Sequence, residues 1–375
     1  MDLLSPLQLR DRLGASMDLL ADRRVDGRHQ SMAPTLDWSL DLLANEEEVL
    51  LRRMSAFRGP FDLDAIEAVC AFGELDGVDV LELVGSLADK SMLQITSRED
   101  GRMGYRLLVP LRERLEARLG TAEQTDLRLR HIAYVQSVIE DDALPDWPLR
   151  ISAIREDVTH ALTSALELGN PSLGLDLTLG IRAWLWLAGH REFGLQWTEA
   201  LIEHLEQLSA ADRAMAIHLR ATALYHAQRL AECLEWTNRL VSLRRELGDP
   251  ADLAAALNSR GILLHRLDRL EAAEANLAEA QAAAAEAGEV LTGEQTSKLA
   301  ELIVNNRARV IANAGRTGEA LELLQPLVEL SRARGPSVDT ALSLYHQAEI
   351  LRLHGDASAA VETAATVMAM SDQLD

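Results

Sequence analysis

Side chains able to do chemistry fall into three groups along the chain. The first is basic: Arg23-Arg24 and Arg28-His29 near the start, then Arg98 and Arg102. Guanidinium forks match phosphate and carboxylate oxygens, and a neighbouring histidine adds a group that titrates near neutrality. The second is aromatic: Trp184, Trp186, His190, Trp197, Tyr225, His226 and Trp236 lie close in sequence. Rings gathered on one surface can hold a peptide or small effector. The third is Cys70 and Cys233, 163 residues apart with no C-x-x-C pair, which read as small buried thiols in a reducing compartment. Each group also has a plainer reading: a solvated basic linker, and aromatics at helical spacing that fill a core. Trp38 reads as such a core anchor.

The chemistry these residues leave out is as informative. The ten histidines show no H-E-x-x-H or other metal-ligand spacing, and no Ser/His/Asp order with a nucleophile elbow occurs. Scattered Asp and Glu pairs read as solvated helix faces. No G-x-x-x-x-G-K-[ST] loop is present to cradle phosphates. The sequence therefore predicts no catalytic centre, no metal site and no enzyme. The formal charge of −22, from 59 acidic and 37 basic residues, speaks against a duplex- or membrane-surface binder, which needs a concentrated basic face. The charged N-terminal stretch is no signal peptide, and no run of about 18 apolar residues could span a membrane. A cytoplasmic protein is expected.

The elements that must position these residues are mainly helical. Hydrophobic content is 48% but aromatic content only 4%, a composition that favours helix–helix packing. Ser5-Pro6 opens a first helix through Leu19-Leu20. Thr35 can cap a helix over 36–43, and Asn45 another, with Glu48 in capping-box position. Asp62 caps a third, carrying Leu63, Ile66, Val69 and Cys70. A fourth runs from Val78 to Lys90, with Val78, Leu81, Val84 and Leu87 as its apolar face. Residues 91–96 and 103–108 are strand candidates joined by a polar tip at Asp100-Gly101, and Pro110 restarts a helix. Helices followed by a hairpin wing spell a winged helix-turn-helix.

Beyond Gly120 strand signals vanish. A turn recurs at Ala188-Gly189-His190, Gln228-Arg229-Leu230, Asp268-Arg269-Leu270, Gly315-Arg316-Thr317 and Gly355-Asp356-Ala357, at spacings of 39, 40, 47 and 40 residues. A small residue follows the turn in most units: Gly194, Cys233, Ala273, Ala320 and Ala360. Helical hairpins with a period near 40 make an α-solenoid. The 47-residue step holds an insertion around 290–298. Residues 131–168 are helical but out of register, with a joint at Pro145-Asp146-Trp147-Pro148.

The segments RHQSMAPTLDWSLDLL, EEEVLLRRMSAFRGPFDLDAIEAVC, DVLELVGSLADKSML and YRLLVPLRERLEARL, in this order, resemble bacterial STAND-class ATPase transcriptional regulators. In that family an NB-ARC-like nucleotide-binding domain precedes the winged helix and tetratricopeptide-like (TPR-like) repeats follow. The resemblance is strong over about residues 4–119 and looser after His131. It implies that residues 1–28 are the helical remnant of an NB-ARC-like module. The winged-helix domain then covers 29–120, a helical linker 121–188 and TPR-like repeats 189–375. The NTPase domain and a separate DNA-binding domain are expected to be missing. Relatives carry a Met-His-Asp motif near the exit of the winged helix; Leu107-Leu108-Val109 stands here, so no nucleotide-sensing histidine is carried over.

The resulting expectation is a non-catalytic regulatory or sensor module. Its repeats would bind a protein or small effector at Trp184, Trp186, His190, Trp197, Tyr225, His226 and Trp236. The winged helix would relay that event to an NTPase partner. ATP or ADP would enter only through such a partner or upstream domain, near Arg28 and His29. Direct nucleic-acid binding is not expected, because the helix over 78–90 sets Asp79, Glu82 and Asp89 against Lys90. On the wing, Arg98 and Arg102 face Glu99 and Asp100. The alternatives are a DNA-binding regulator that uses these wing arginines, and a plain TPR scaffold.

Overall fold

The computed structural model describes residues 37–187, 190–290 and 294–374. Arg28, His29, the Thr35 cap, the 1–28 segment and the Ala188-Gly189 turn lie outside the described residues. The chain divides into two compact units, Met1–Ala165 and Leu166–Asp375.

In the first unit, residues 37–40 form a helical turn. Leu40 is its buried residue, while Trp38 is 65% exposed. Two positions on a helix differ by about 200°, so Leu40 and not Trp38 is the core anchor. Helix α1 (Asn45–Arg53) begins one residue earlier in its cap than expected: Ala44 is the N-cap, and its amide donates to Glu47 Oε2 at 2.8 Å. Glu47, not Glu48, thus occupies the third helical position. Val49, Leu50, Leu51 and Met54 carry its buried side. Helix α2 (Leu63–Cys70) is capped by Asp62, whose carboxylate accepts from the Ala65 amide. Helix α3 (Val80–Asp89) is capped by Asp79. It buries Val80, Val84 and Leu87 and leaves Leu81 57% exposed, so the apolar stripe runs through Val80 rather than Leu81.

Strands β1 (Gln94–Ser97) and β2 (Met103–Arg106) pair antiparallel, Ile95 opposite Tyr105 and Ser97 opposite Met103. Phe61 joins their edge through reciprocal backbone bonds with Tyr105 of 3.0 and 2.7 Å. Helix α4 (Val109–Glu116) follows with Pro in its first turn. Then come α5 (Thr121–Glu140), α6 (Trp147–Ala153) and α7 (Arg155–Glu167). The apolar core assembled from α1 to α4 includes Leu127 of α5, so this unit does not end at residue 120. Each such aliphatic side chain contributes about 1.5–3 kcal/mol on burial.

The second unit opens with α8 (Pro171–Gly180), α9 (Arg182–Leu187) and α10 (Arg191–Ile202). Four hairpins follow: α11 (Ala210–His226) with α12 (Leu230–Leu247), and α13 (Pro250–Arg266) with α14 (Leu270–Val290). The others are α15 (Glu294–Asn313) with α16 (Thr317–Arg334), and α17 (Val338–His354) with α18 (Ala357–Leu374). The recurring turn has one geometry. Gln228, Asp268, Gly315 and Gly355 all sit at positive φ, 61°, 57°, 86° and 93°. The next residue's amide reaches back to Leu224, Leu264, Ile311 or Leu351 at 2.9–3.1 Å. This is the Schellman ending, which satisfies carbonyls that the last helical turn leaves open. Five residues on, Cys233, Ala273, Ala320 and Ala360 are buried, small enough for the returning helix to approach. Closer still is Gly261, where a Cβ would lie 2.5 Å from Leu277.

Candidate interaction surfaces

Two cations of the winged helix are engaged by its own carboxylates. Lys90, the one cation of the α3 segment, donates to Glu47 Oε2 at 2.6 Å, and Ser86 donates to the same carboxylate. Burial works to raise the Glu47 carboxyl, but the bonds from Lys90, Ser86 and the Ala44 amide outweigh it and hold it below the ordinary range. The exposed side of α3 carries Asp79, Leu81, Glu82 and Asp89, with Lys90 at its end paired to Glu47 and still 41% exposed.

The wing behaves likewise. Arg98 was expected to point outward, yet its side chain is 3% exposed and ion-paired with Asp62 at 2.7 Å and Asp100 at 3.1 Å. Gly104 makes room for it: a Cβ there would stand 2.8 Å from Arg98 Cγ. A buried guanidinium needs paired oxygens, and Asp62 provides one while also capping α2. Arg102 remains exposed, as do Ile95 and Met103 on the opposite face of the hairpin from Arg98.

The aromatic group divides. Trp184 and Trp197 are 1% and 3% exposed, and Trp184 stacks on His190 with centroids 3.8 Å apart. Trp184 and Trp197 are core residues, which corrects their placement on an effector surface. Trp186 stays half-buried, stacked on His226 at 5.0 Å, with Gly194 giving its ring space. Tyr225 lies under the Arg266 guanidinium at 4.8 Å, and Trp236 under Arg239 at 4.6 Å. These three ring–cation or ring–histidine pairs are what the aromatic segment presents outward.

The most organised polar cluster was missed in the sequence. His131 of α5, 1% exposed, shares a 3.0 Å hydrogen bond with Asp157 of α7. Asp157 also accepts from the amides of Arg58 at 2.8 Å and Gly59 at 3.2 Å. Burial alone would raise this carboxyl, yet the bonds from His131 and the two amides keep it below its usual value. His160, beside them, is pushed by burial down to about 3, with Arg58 and His131 adding to the effect. A histidine on the apolar stripe Leu127, His131, Ile132, Val135 was the available signal, since a buried imidazole needs a partner. The cluster ties α7 and α5 to the loop after α1. The nearby Ser55 hydroxyl donates to the Arg52 carbonyl, so it is not poised as a nucleophile. Both cysteines are buried, and burial raises both thiols. Among the described residues no group of three His, Cys, Asp or Glu could hold a metal ion, and no helix is long and apolar enough to cross a membrane.

Residues 43–117 match the winged helix-turn-helix domain family. This segment is a winged helix-turn-helix domain. A Mycobacterium tuberculosis protein named as an HTH-type transcriptional regulator is 28% identical over 277 residues, 69% of this chain and 31% of its own length. The chain thus spans under a third of that relative. Among solved structures, the TPR-like repeats of a Podospora anserina kinesin light chain are similar to 61% of this chain, covering 98% of theirs, at 16% identity and a TM-score of 0.41. A STAND protein with a tetratricopeptide sensor from Pyrococcus horikoshii is similar over 88% of this chain and 63% of its own, at 12% identity and a TM-score of 0.26. The winged helix is followed in this chain by TPR-like helical repeats.

Proposed function

We propose that the chain is a non-catalytic regulatory module of a STAND-type transcriptional regulator, working in the cytoplasm. Its repeats bind a protein or small effector, and its winged helix relays the event to an NTPase domain. The observation that carries this reading is the outer side of α3. Leu81 stands there among Asp79, Glu82 and Asp89, and the one cation, Lys90, is ion-paired with Glu47. An acidic face with an apolar centre repels phosphate backbones and suits a protein partner with a basic rim. On the wing, Ile95 and Met103 are exposed apolar side chains as well. On the repeats, the pairs Trp186–His226, Tyr225–Arg266 and Trp236–Arg239 supply rings for an effector. Arg28 and His29 remain the proposed nucleotide-proximal pair.

The test is association of the purified chain with the NTPase domain of a cognate regulator, with and without ATP. Micromolar binding that Leu81→Lys weakens at least tenfold is the expected result. No association at micromolar concentration in either nucleotide state ends the proposal. The name carried by the M. tuberculosis relative favours a second reading, direct DNA binding, with exposed Arg102 as the wing contact. Salt-dependent retardation of promoter DNA that Arg102→Ala weakens would establish that reading instead.

A further inference from the structure

The first helices of the later hairpins touch through polar side chains, and one junction is left incomplete. Ten residues before the left-handed turn residue stand Asn258 in α13 and Asn305 in α15, both buried. Asn258 Oδ1 accepts from the side-chain amide of Asn306, on the next first helix, at 3.0 Å. The position that Asn306 holds in α15 is held in α17 by His346, which gives Asn305 no such bond. The Asn305 amide nitrogen donates to the Glu301 carbonyl at 3.1 Å and to Ser343 Oγ at 3.2 Å. Its Oδ1 has no hydrogen-bond partner among the described residues, although Asn305 is 2% exposed. The bond to a carbonyl fixes which end of the amide is nitrogen, so the unmet atom is an acceptor. A buried acceptor without a donor is costly.

Asn305 lines a cavity of about 200 Å³ between α15 and α17. On α15, Lys298, Leu302 and Asn305 follow one another at helical spacing, and on α17 Asp339, Leu342 and Ser343 do the same. Leu299 completes an apolar wall with Leu302 and Leu342. Glu301, on the same lining, is ion-paired with Arg334 at 2.5 Å. Asp339 and Lys298 carry the remaining charges, one of each sign. We infer that this cavity is a binding site for a free aliphatic amino acid. Its ammonium donates to Asn305 Oδ1 and the Asp339 carboxylate, its carboxylate meets Lys298, and its side chain packs on the leucines.

An ammonium brings three donors and supplies the hydrogen that Asn305 Oδ1 lacks. A lining with an acceptor and both signs of charge selects a zwitterion over a simple amine or acid, since either of those leaves one charge of the site unmatched. A volume of about 200 Å³ lies below the roughly 300–1,000 Å³ of drug-sized pockets and suits one small ligand. Bound between the first helices of two hairpins, the ligand stabilises their junction. Binding here involves none of the rings of Trp186, Tyr225 and Trp236 and needs no NTPase partner, so it goes beyond the regulatory reading and is tested apart from it.

Calorimetric titration of the full chain with L-leucine, L-valine and L-methionine up to about 10 mM, past weak affinities of about 1 mM, tests the inference. At least one of the three should bind saturably and raise the melting temperature. The two part-analogues of leucine, 4-methylpentanoate without the amino group and 3-methylbutylamine without the carboxylate, should bind at least tenfold more weakly. Asn305→Ala should weaken the amino acid at least tenfold. So should Asp339→Asn, which is exposed and should leave the melt of the unliganded chain unchanged. Glu322→Gln, exposed and off the cavity, should leave binding intact. Saturable binding by none of the three amino acids overturns the inference. So does binding that Asp339→Asn and Asn305→Ala both leave intact, or equal affinity for 4-methylpentanoate.

Discussion

The two units are held together by opposite strategies. In the first, unlike elements meet through single polar residues that act across long stretches of sequence. Glu47 joins α1 to α3, Asp62 joins Arg98 to the α2 cap, and Asp157 reaches 99 residues back to Arg58. In the second, one device recurs at three of the four periods. Arg220, Arg260 and Arg307 stand eight residues before successive left-handed turn residues. Each donates to a second helix or its side chains: Leu195 carbonyl, Asn276 and Gln281. A fold with no repeated parts concentrates its stability in singular contacts, while a solenoid spreads it over equivalents that need only nearest neighbours.

The largest test of this contrast is Asp157→Ala. It would strand a buried imidazole and two amides, at a cost of about 3–5 kcal/mol. Hydrogen exchange should show the loss across residues 44–140 and leave the repeats protected. A loss below about 1 kcal/mol, or one shared equally by both units, would break the comparison.

Acid sharpens it next. His160 in the first unit is held at about 3 and His346 in the second at about 4, both by burial, against an ordinary 6.5. With the folded value depressed, the unfolded chain takes up protons first. Stability is then complete above 6.5 and declines as pH falls toward those values. Asp157, also held low, adds a further loss at the acid end. Thermal melts between neutral pH and the acid end of that range should show this decline. His160→Gln should flatten it for the first unit alone, and His346→Gln for the second alone; a decline unchanged by both substitutions assigns it elsewhere.

The smallest effects belong to the repeated turn. Gly355→Ala should lose about 1 kcal/mol, because a Cβ is strained at positive φ. Gln228→Gly should gain about 0.5 kcal/mol net of the entropy that glycine adds to the unfolded chain. If the two substitutions shift the melting temperature in the same direction, the turns are not equivalent.

These contrasts track what could be read from residues alone. The winged helix, its hairpin and the repeat turns were legible because each is written locally: Asp62 as a cap, Asp100-Gly101 as a hairpin turn, and a turn followed five residues later by a small side chain. The wing arginines were half legible. Composition placed Arg98 and Arg102 together on the hairpin, but not that one turns inward to Asp62 and the other out to solvent. The aromatic cluster was legible as a cluster, and burial then removed Trp184 and Trp197 from its surface. Trp38 and Leu81 show the limit of periodicity, since a shift of one or two residues moves a side chain across a helix.

By itself, then, the sequence determined the helical repeat, the hairpin wing and the acidic character of α3. Caps, turns and periods act over a few residues, where chain geometry leaves little freedom. The tertiary structure alone decided that Lys90 pairs with Glu47, that Arg98 is buried against Asp62, and that His131 and Asp157 meet. Those outcomes depend on which distant carboxylate or helix arrives within bonding distance, and no local rule encodes that arrival.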